Sequence, residues 1–352
     1  MAMNWLIYGA NGYTGKLTVM EAKKRGMQPV IGGRNAGQIT RLAGDTGCKH
    51  VVLDLEEGER LRRHLKDISV VLNCAGPFKH TAQPLIEACL DTHTHYIDIT
   101  GEIDVFEYAQ SRHHAAKSAG VVLCPGVGFD VVPTDCLAAT LAHAMPDATH
   151  LTLGFDSASV LSPGTAKTTV AKLPDGGRVR RGGNIVEVPL AFHEKEIDFG
   201  NGTKNAMTIP WGDVSTAYHT TGIPNIEAYV PASPKLIKRL RQLNSVRPAL
   251  GWGWVQSMLR KQISKRVFGP SEEMLENDKT YVWAEVRNAA GNVREARIVT
   301  ANGYTLTVES SIEISRFLLD STNKESGTFT PAKLMGPQFA SRLPGSSNIV
   351  IT

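Results

Sequence analysis

The sequence predicts an α/β protein of two domains, in which a parallel sheet flanked by helices precedes a mixed, mostly antiparallel α/β domain. The chain has 352 residues, more than one compact core usually holds. Short apolar runs alternate with helical patterns through the first 125 residues, and longer runs of alternating polarity begin near residue 150. We therefore expect a first domain at 1–132, a second at 133–328, and a C-terminal helix and tail at 329–352 that packs back on the first domain.

The first domain contains six apolar runs that are short enough to be strands. Because helical patterns separate them, right-handed crossovers would place them side by side in one parallel sheet. The predicted strands are Trp5–Tyr8, Pro29–Gly32, His50–Leu53, Val70–Asn73, Tyr96–Ile99 and Val121–Cys124. The predicted helices lie near 15–26, 36–44, 58–66, 82–91 and 104–118.

The second domain is predicted from longer runs in which apolar and polar residues alternate, separated by glycine-rich turns such as Asp175-Gly176-Gly177. Such alternation is typical of strands with one face on a core and one face in water. The predicted strands are His150–Asp156, Asn184–Val188, Ile226–Val230, Tyr281–Val286 and Glu295–Val299.

Composition describes an ordinary globular protein, with 42% apolar and 20% charged residues. The net charge of +4 by itself indicates no nucleic-acid partner. No apolar run reaches the length of a membrane span. An odd number of cysteines without a C-x-x-C pair predicts reduced thiols in a cytoplasmic protein. They are Cys48, Cys74, Cys89, Cys124 and Cys136.

Three glycines follow the first predicted strand in the pattern G-x-x-G-x-x-G, with Asn11 where a middle glycine could stand. A strand, a glycine turn and a helix form a cradle for a pyrophosphate, because the helix N-terminus offers free N–H groups and glycine lets the phosphate approach the backbone. The alternative is a glycine turn that holds no ligand. Among the alternating strands, the motif predicts a dinucleotide-binding Rossmann domain. The predicted contacts here are Gly9, Asn11, Gly12, Tyr13, Thr14 and Gly15.

The end of the second strand predicts which dinucleotide binds. An acidic residue there would accept a hydrogen bond from the ribose 2′-hydroxyl of NAD. This chain has Arg34 instead, and no carboxylate follows until Asp45. A guanidinium suits the 2′-phosphate of NADP, although a solvated surface arginine is the alternative. Asp54, after the third strand, either accepts from the adenine amino group or caps the following turn.

The fourth strand leads into the loop "LNCAGPF", residues 72–78. At the carboxyl edge of such a sheet, Ala75, Gly76 and Pro77 would lie close to the nicotinamide ribose. The letters "NCAG" also occur in short-chain dehydrogenases, which need a catalytic Tyr-x-x-x-Lys. No tyrosine here has a lysine four residues later, so that class is excluded.

Several blocks together resemble the saccharopine dehydrogenase-like oxidoreductases, in a subgroup that includes the trans-acting enoyl reductases and many members of unknown substrate. The resemblance covers nearly the whole chain. It implies an NAD(P)-binding Rossmann domain, a mixed α/β domain for substrate and dimer contacts, and an arginine for NADP at Arg34. It does not imply lysine metabolism, because the second domain is short and lacks a clear set of paired arginines. The blocks are "GANGYTG", "GGRN", "NCAGPF", "HYIDITGE" (95–102), "PGVGFDVVPTD" (125–135), "SPGTAKT" (162–168), "PWGDVSTAYHTTGIPNIEAY" (210–229) and "FTPAKLMG" (329–336).

Hydride transfer needs one proton donor or acceptor and a dry pocket. The candidates follow the fifth and sixth strands or come from the second domain, from which they could close over a cleft. The aspartates have helix capping as an alternative, and the histidine a satisfied loop position. A metal is not expected, since His93 and His95 suggest no third ligand. The catalytic candidates are Asp98, Glu102, Asp130, Tyr218 and His219.

Residues 235–268, which we call the basic segment, carry nine cations in a stretch without an acid from Glu227 to Glu272. Leucines at helical spacing and two tryptophans accompany them. Such a segment suits an anionic membrane surface, an acidic acyl carrier or coenzyme A, and its alternative is a solvated face packed on the domain or on a dimer partner. Two functions follow: an NADP-dependent reductase of an enoyl, imine or carbonyl group, or an NADP-binding sensor or accessory subunit without turnover.

Overall fold

The computed structural model describes residues 4–157, 170–171, 173–266, 272–320, 322 and 324–352. The chain divides into two compact units: the first is Met1–Val132 with Leu306–Met335, and the second is Pro133–Thr305 with Gly336–Thr352. The sequence-based ranges differ from these units, because they assign residues 306–328 to the second domain and residues 329–352 to the first. The cause is that the chain returns to the first unit and leaves it again near its C-terminus.

The described strands are β1 Trp5–Tyr8, β2 Val30–Gly33, β3 His50–Val52, β4 Val70–Asn73, β5 His95–Asp98, β6 Val122–Cys124, β7 Ala148–Ser157, β8 Gly177–Arg181, β9 Asn184–Val188, β10 Glu194–Asp198, β11 Thr203–Ile209, β12 Asn225–Pro231, β13 Lys279–Asn288, β14 Val293–Ala301, β15 Gly327–Thr328 and β16 Val350–Ile351.

The described α-helices are α1 Tyr13–Lys24, α2 Ala36–Thr46, α3 Gly58–Leu65, α4 Phe78–Thr92, α5 Ile103–Ser111, α6 His113–Ala119, α7 Val132–Ala144, α8 Asp213–Thr221, α9 Pro234–Leu243, α10 Arg247–Leu250, α11 Gly253–Arg266, α12 Glu272–Asn277, α13 Gly303–Leu319, α14 Pro331–Met335 and α15 Phe339–Arg342. Short 3₁₀ turns occupy Leu173–Asp175 and Asn244–Val246. None of the described helices is long and apolar enough to cross a lipid bilayer.

The first unit is built on a parallel sheet in the order β15-β6-β5-β4-β1-β2-β3. Every residue of β1 and β4 is buried, as expected for parallel strands covered on both faces. The strand order reverses between β1 and β4, and ligands of such sheets bind in the crevice beyond the carboxyl ends of the strands at that point. The predicted α/β class with a parallel Rossmann sheet is therefore confirmed.

The seventh strand of this sheet comes from near the C-terminus. The N–H of Gly327 donates to the carbonyl of Val121, and the N–H of Phe329 donates to the carbonyl of Leu123. Most of helix α13 also belongs to the first unit. There its Glu309 and Glu313 form ion pairs with Arg25 of α1. A strand of two residues produces no readable pattern, so the sequence analysis missed it.

The second unit is built on a nine-stranded mixed sheet whose main path is β10-β11-β12-β7-β13-β14-β16, with β8 and β9 attached beside β12. Among the described strands of this sheet, only the β12–β7 pair is parallel, as predicted for a mostly antiparallel domain. The final strand pairs with β14, so the tail from Gly336 packs in this unit. This corrects the expectation that residues 329–352 return as a whole to the first domain.

Candidate cofactor and active site

The glycine turn after β1 is shaped by close backbone contacts. Gly9 has a φ of +79°, and its carbonyl accepts a hydrogen bond from the N–H of Gly12 at 3.0 Å. A Cβ at Gly9 would lie 2.7 Å from the backbone N of Ala75, and one at Gly15 would lie 2.4 Å from the carbonyl oxygen of Gly9. Any side chain at either position would therefore displace backbone. Packing alone accounts for these two glycines.

Gly12 is different, because it is exposed and has an ordinary φ of −73°. A Cβ there would meet only the carbonyl oxygen of Gly9, at 3.3 Å. The residue is the N-cap of α1, whose first turn holds no acidic residue, so the positive end of the helix dipole is not neutralised locally. The open backbone at Gly12 is the cradle that a Cβ would fill, and it fits a pyrophosphate together with Tyr13 and Thr14 of the first turn.

Asn11 connects the turns that follow β1 and β2. Its Nδ2 donates to Oε1 of Gln38 at 2.7 Å, and a Cβ placed on Gly33 would lie 2.8 Å from its Oδ1. Asn35 caps helix α2 by accepting from the N–H of Gln38 at 3.0 Å. The exposed Arg34 lies between Gly33 and this cap. The turn after β1 and the turn after β2, which contains Arg34, therefore form one continuous edge of the first unit, which we call the rim.

The charges of Arg34 and Asp54 both change the pKa of Tyr8, whose buried hydroxyl lies at the end of β1. Burial raises the pKa of Tyr8 to about 12, the charge of Arg34 partly offsets this rise, and the charge of Asp54 adds to it. Both charges therefore lie at the carboxyl edge of β1–β3, where the 2′-phosphate and adenine of a dinucleotide would lie. Oδ1 of Asp54 accepts from the N–H of Glu56 at 3.2 Å, so the aspartate does cap its turn, the alternative that the sequence left open.

The loop after β4 is held by Asn73, which the sequence analysis did not single out. Its Oδ1 accepts from the N–H of Ala75 at 3.0 Å, and its Nδ2 donates to the hydroxyls of Thr81 and Tyr96. The hydroxyl of Thr81 in turn donates to the carbonyl of Ala75 at 2.7 Å. The side chains thus fix Ala75 against the glycine turn and leave Gly76 and Pro77 exposed beside it.

Glu102 caps helix α4 from a neighbouring loop. Its two carboxylate oxygens accept hydrogen bonds from the N–H groups of Phe78, at 3.0 Å, and Lys79, at 3.1 Å. Only 5% of the residue is exposed. A carboxylate in this position interacts favourably with the positive end of the helix dipole. The structure therefore shows that Glu102 holds the start of α4, next to the loop at Ala75–Pro77, and its predicted catalytic role stays a prediction.

Asp98 ends β5 and is completely buried. Its Oδ1 accepts from the N–H groups of Thr100 and Gly126, and its Oδ2 accepts from the hydroxyl of Tyr96 at 2.7 Å. Burial raises the pKa of Asp98 to about 6; hydrogen bonds from Thr100, Gly126 and Tyr96 oppose the rise, and the charge of Glu102 adds to it. Asp98 connects the loops that follow β5 and β6.

Asp130 lies where the loops after β5 and β6 touch. A Cβ on Gly101 would lie 2.5 Å from Oδ2 of Asp130, so a side chain there would displace this carboxylate. Asp130 is partly exposed, unlike Asp98 and Glu102. The structure therefore gathers the three predicted acids at the carboxyl edge of β5 and β6, and Asp130 is the one that faces solvent.

Tyr218 and His219 belong to the second unit, on α8, with their ring centroids 5.6 Å apart. The guanidinium of the buried Arg180 lies 4.2 Å from the ring centroid of Tyr218 and donates to the carbonyls of Val214 and Gly183. Arg180 therefore fixes the start of α8 and the tyrosine ring. The catalytic roles of Tyr218 and His219 stay predictions.

Two further predictions concern metal binding and the cysteines. Among the described residues no three His, Cys, Asp or Glu side chains are grouped as a metal would require. All five cysteines are free, and burial raises the pKa of Cys74, beside the Ala75 loop, to about 12. The block at 162–168 lies outside the described residues.

Asn73 and Tyr96 are the site residues that sequence reasoning missed. Both occupy strand positions that read as buried core, and the network Asn73–Tyr96–Asp98 becomes visible only when β4 and β5 pair in register. The available signal was a polar asparagine at the end of an otherwise apolar strand, where an unsatisfied amide would be costly.

Comparison with known proteins finds similarity mainly in the first unit. Residues 5–124 match the family model described as the saccharopine dehydrogenase NADP-binding domain. A human saccharopine dehydrogenase-like oxidoreductase is 27% identical over 150 residues, covering 37% of this chain and 35% of that protein. A trans-acting enoyl reductase of Mycobacterium leprae (strain TN) is 30% identical over 140 residues, covering 37% of this chain and 33% of that protein. The matches thus span about a third of the relatives' length.

A probable mitochondrial saccharopine dehydrogenase-like oxidoreductase of Arabidopsis thaliana is 29% identical over 147 residues, covering 37% of this chain and 32% of that protein. The fold similarity extends further. The apo, histidine-tagged saccharopine dehydrogenase (L-Glu forming) of Saccharomyces cerevisiae has a TM-score of 0.69, covering 99% of this chain and 100% of that chain at 12% identity. At that identity the likeness shows the two-unit fold and not the reaction.

Proposed function

We propose that the protein is an NADP-dependent oxidoreductase, because residues 5–124 match the family model of the saccharopine dehydrogenase NADP-binding domain. Its hydride acceptor would be an enoyl, imine or carbonyl group on a small or acyl-type molecule. The observation that carries the proposal is the pairing of an open glycine cradle at Gly12 with Arg34 on the neighbouring rim. Together they offer contacts for both the pyrophosphate and the 2′-phosphate.

The described residues divide the binding of NADP among three places. The pyrophosphate would lie at Gly9–Gly15, the 2′-phosphate at Arg34, and the nicotinamide ribose at Ala75–Pro77. NADP supplies the hydride chemistry when bound. The chain supplies position: Asn73 and Glu102 hold the Ala75–Pro77 loop from its two ends.

Asp130 is the proposed proton-handling group of the first unit, because it is the solvent-facing acid of the cluster. Asp98 is surrounded by three donors and buried, so it positions the loop at Gly126 instead. Tyr218 and His219 are further proposed donors from the second unit. A homodimer and a cytoplasmic location also remain proposals.

The experiment that tests the proposal has two parts. NADPH and NADH are first titrated against the purified protein, and NADPH oxidation is then followed with an enoyl thioester, a cyclic imine and an aldehyde. We expect tight NADPH binding and turnover of at least one acceptor class. Asp130→Asn should lower kcat and leave the NADPH dissociation constant unchanged, as should Tyr218→Phe or His219→Gln if that residue donates the proton.

A matched control is Asp67→Asn, which changes an exposed carboxylate in the loop between α3 and β4. Failure to bind NADPH would overturn the proposal. NADPH binding without oxidation by any acceptor class would favour the other predicted function, a sensor or accessory subunit without turnover.

A further inference from the structure

We propose that the basic segment binds the surface of an anionic lipid bilayer. In the described part of the chain it comprises α9, the 3₁₀ turn Asn244–Val246, α10 and α11. Residues 267–268 lie outside the described residues, as do the side chains of Arg260, Lys265 and Arg266. The inference rests on the remaining side chains and is independent of the reaction that the first unit performs.

The inner side of the segment is fixed to its own unit. Ile237 is 1% exposed and packs with Ala191, Met207 and Ala232. Nε of Arg241 donates to the carbonyl of Ala191 at 3.0 Å. The segment is therefore anchored from one side, and its outer side is not needed to hold the fold.

The outer side is apolar to a degree found nowhere else in the described chain. Nine large apolar side chains are exposed among the described residues, and five of them lie within the 23 residues from 236 to 258. Isolated exposed apolar residues are ordinary, but a concentration of them marks an interaction site. They are Leu236, Val246, Trp252, Trp254 and Met258.

Exposed cations accompany these side chains. Lys235, Lys238, Arg239 and Lys261 are exposed, and no ion pair described in the structure involves them. The sequence holds no acid between Glu227 and Glu272, although Glu194, from another strand, pairs with Arg241 at 3.2 Å. The segment that carries the tryptophans therefore has an excess of positive charge, and a complementary partner must be anionic.

A bilayer fits this combination better than an acidic carrier protein does. The ring centroids of Trp252 and Trp254 lie 6.3 Å apart. The two residues are 57% and 65% exposed. Indole rings locate at the level of lipid headgroups, where their apolar body and polar N–H are both satisfied. Lysines nearby gain energy from anionic headgroups. An acidic protein surface would satisfy the cations, but it would need an apolar patch of its own to cover the two indoles.

The test is flotation of the purified full chain with two kinds of vesicle, phosphatidylcholine alone and an equal mixture with phosphatidylserine. Four proteins are compared: the unaltered chain, the charge reversal Lys235→Glu/Lys238→Glu/Arg239→Glu, the variant Trp252→Ser/Trp254→Ser, and a matched reversal of exposed lysines in the first unit. The matched reversal is Lys49→Glu/Lys66→Glu/Lys117→Glu. NADPH titration and thermal melting verify that all four are folded.

The unaltered chain should float with the anionic vesicles and not with phosphatidylcholine alone. The local reversal should lower the partition coefficient by about tenfold or more, and the matched reversal should lower it far less. The tryptophan variant should bind weakly even at low salt. Added salt should release the protein, since the Debye length falls from about 10 Å at 0.1 M to about 3 Å at 1 M.

Three results would overturn the inference. The first is an unaltered chain that fails to float with anionic vesicles. The second is equal loss in the local and matched reversals, which would reduce the effect to net charge. The third is capture by purified acyl carrier protein without vesicle binding, which would assign the surface to an acidic protein.

Discussion

Gly15 lies against Gly9 so closely that a Cβ on Gly15 would stand 2.4 Å from the Gly9 carbonyl oxygen. We expect Gly15→Ala to lower the free energy of unfolding by about 3 kcal/mol, the upper end for overpacking, because the added atom meets backbone that cannot rotate away. Denaturant unfolding measures this. Gly44→Ala is the control: a Cβ there meets nothing within 4 Å inside α2, so stability should stay equal or rise.

Gly12→Val should impair cofactor binding more than stability, in contrast to Gly15→Ala. The φ of −73° permits a side chain, so the variant should fold, but the added branch would occupy the space of the pyrophosphate. We expect NADPH binding to be lost while the thermal unfolding temperature falls much less than for Gly15→Ala. A Gly12→Val protein that binds NADPH normally would show that the turn serves only the chain itself.

Arg34→Ala should weaken NADPH binding by about 1.5–3 kcal/mol and leave NADH binding unchanged, because only NADPH carries the 2′-phosphate that a guanidinium would hold. Calorimetric titration of both cofactors measures the difference. The control is Arg63→Ala, an exposed arginine in the last turn of α3. Equal affinity of the unaltered protein for NADPH and NADH would contradict the assignment of Arg34.

Glu102→Ala should lower the free energy of unfolding by about 1–2 kcal/mol, since both N–H groups at the start of α4 lose their acceptor. Glu102→Gln keeps one acceptor oxygen and should lose about half of that. The exposed Glu59→Ala serves as control. If kcat instead disappears in Glu102→Gln with stability unchanged, the residue is catalytic and the capping assignment is wrong.

Asp98 should make stability depend on pH. Its pKa is about 6 in the folded chain against an ordinary 3.8, so the folded state binds more protons between these values. The contribution of Asp98 to stability is then complete below about pH 4 and is lost as pH rises through about 6, a change of about 3 kcal/mol. Denaturant unfolding from pH 4 to 7 should show this slope, and Asp98→Asn should lack it. Identical pH slopes in the two proteins would contradict the raised pKa.

The first sheet was predictable because each buried parallel strand is a short apolar run between turns. Trp5–Tyr8 and Val70–Asn73 have the predicted bounds, and the other four differ by a residue or so. The predicted helix at 104–118 is two helices, because the chain leaves helical geometry at Arg112, where ψ is +6°. Strands Glu194–Asp198 and Thr203–Ile209 were missed because their sequences are mainly polar.

The positions of the turns proposed to bind the cofactor were more predictable than the surroundings of the three acids. Glycine and arginine positions follow from the sequence spacing of a strand, a turn and a helix, which is local information. The separate parts of Asp98, Glu102 and Asp130 depend on which backbone N–H groups approach them from other loops. Sequence spacing does not reveal contacts between distant loops. It could therefore predict that the three acids lie near one another, but not what each of them contacts.

The seventh strand has a consequence for the order in which the protein is synthesised. Strand β6 ends at Cys124, and its partner β15 begins at Gly327, about 200 residues later. At a translation rate of about 5–20 residues per second, β6 stays an open sheet edge on the ribosome for about 10–40 s. A nonsense mutation between Cys124 and Gly327 would leave that edge open permanently, so such truncated products should be captured by chaperones or aggregate even though the whole nucleotide-binding motif has been made.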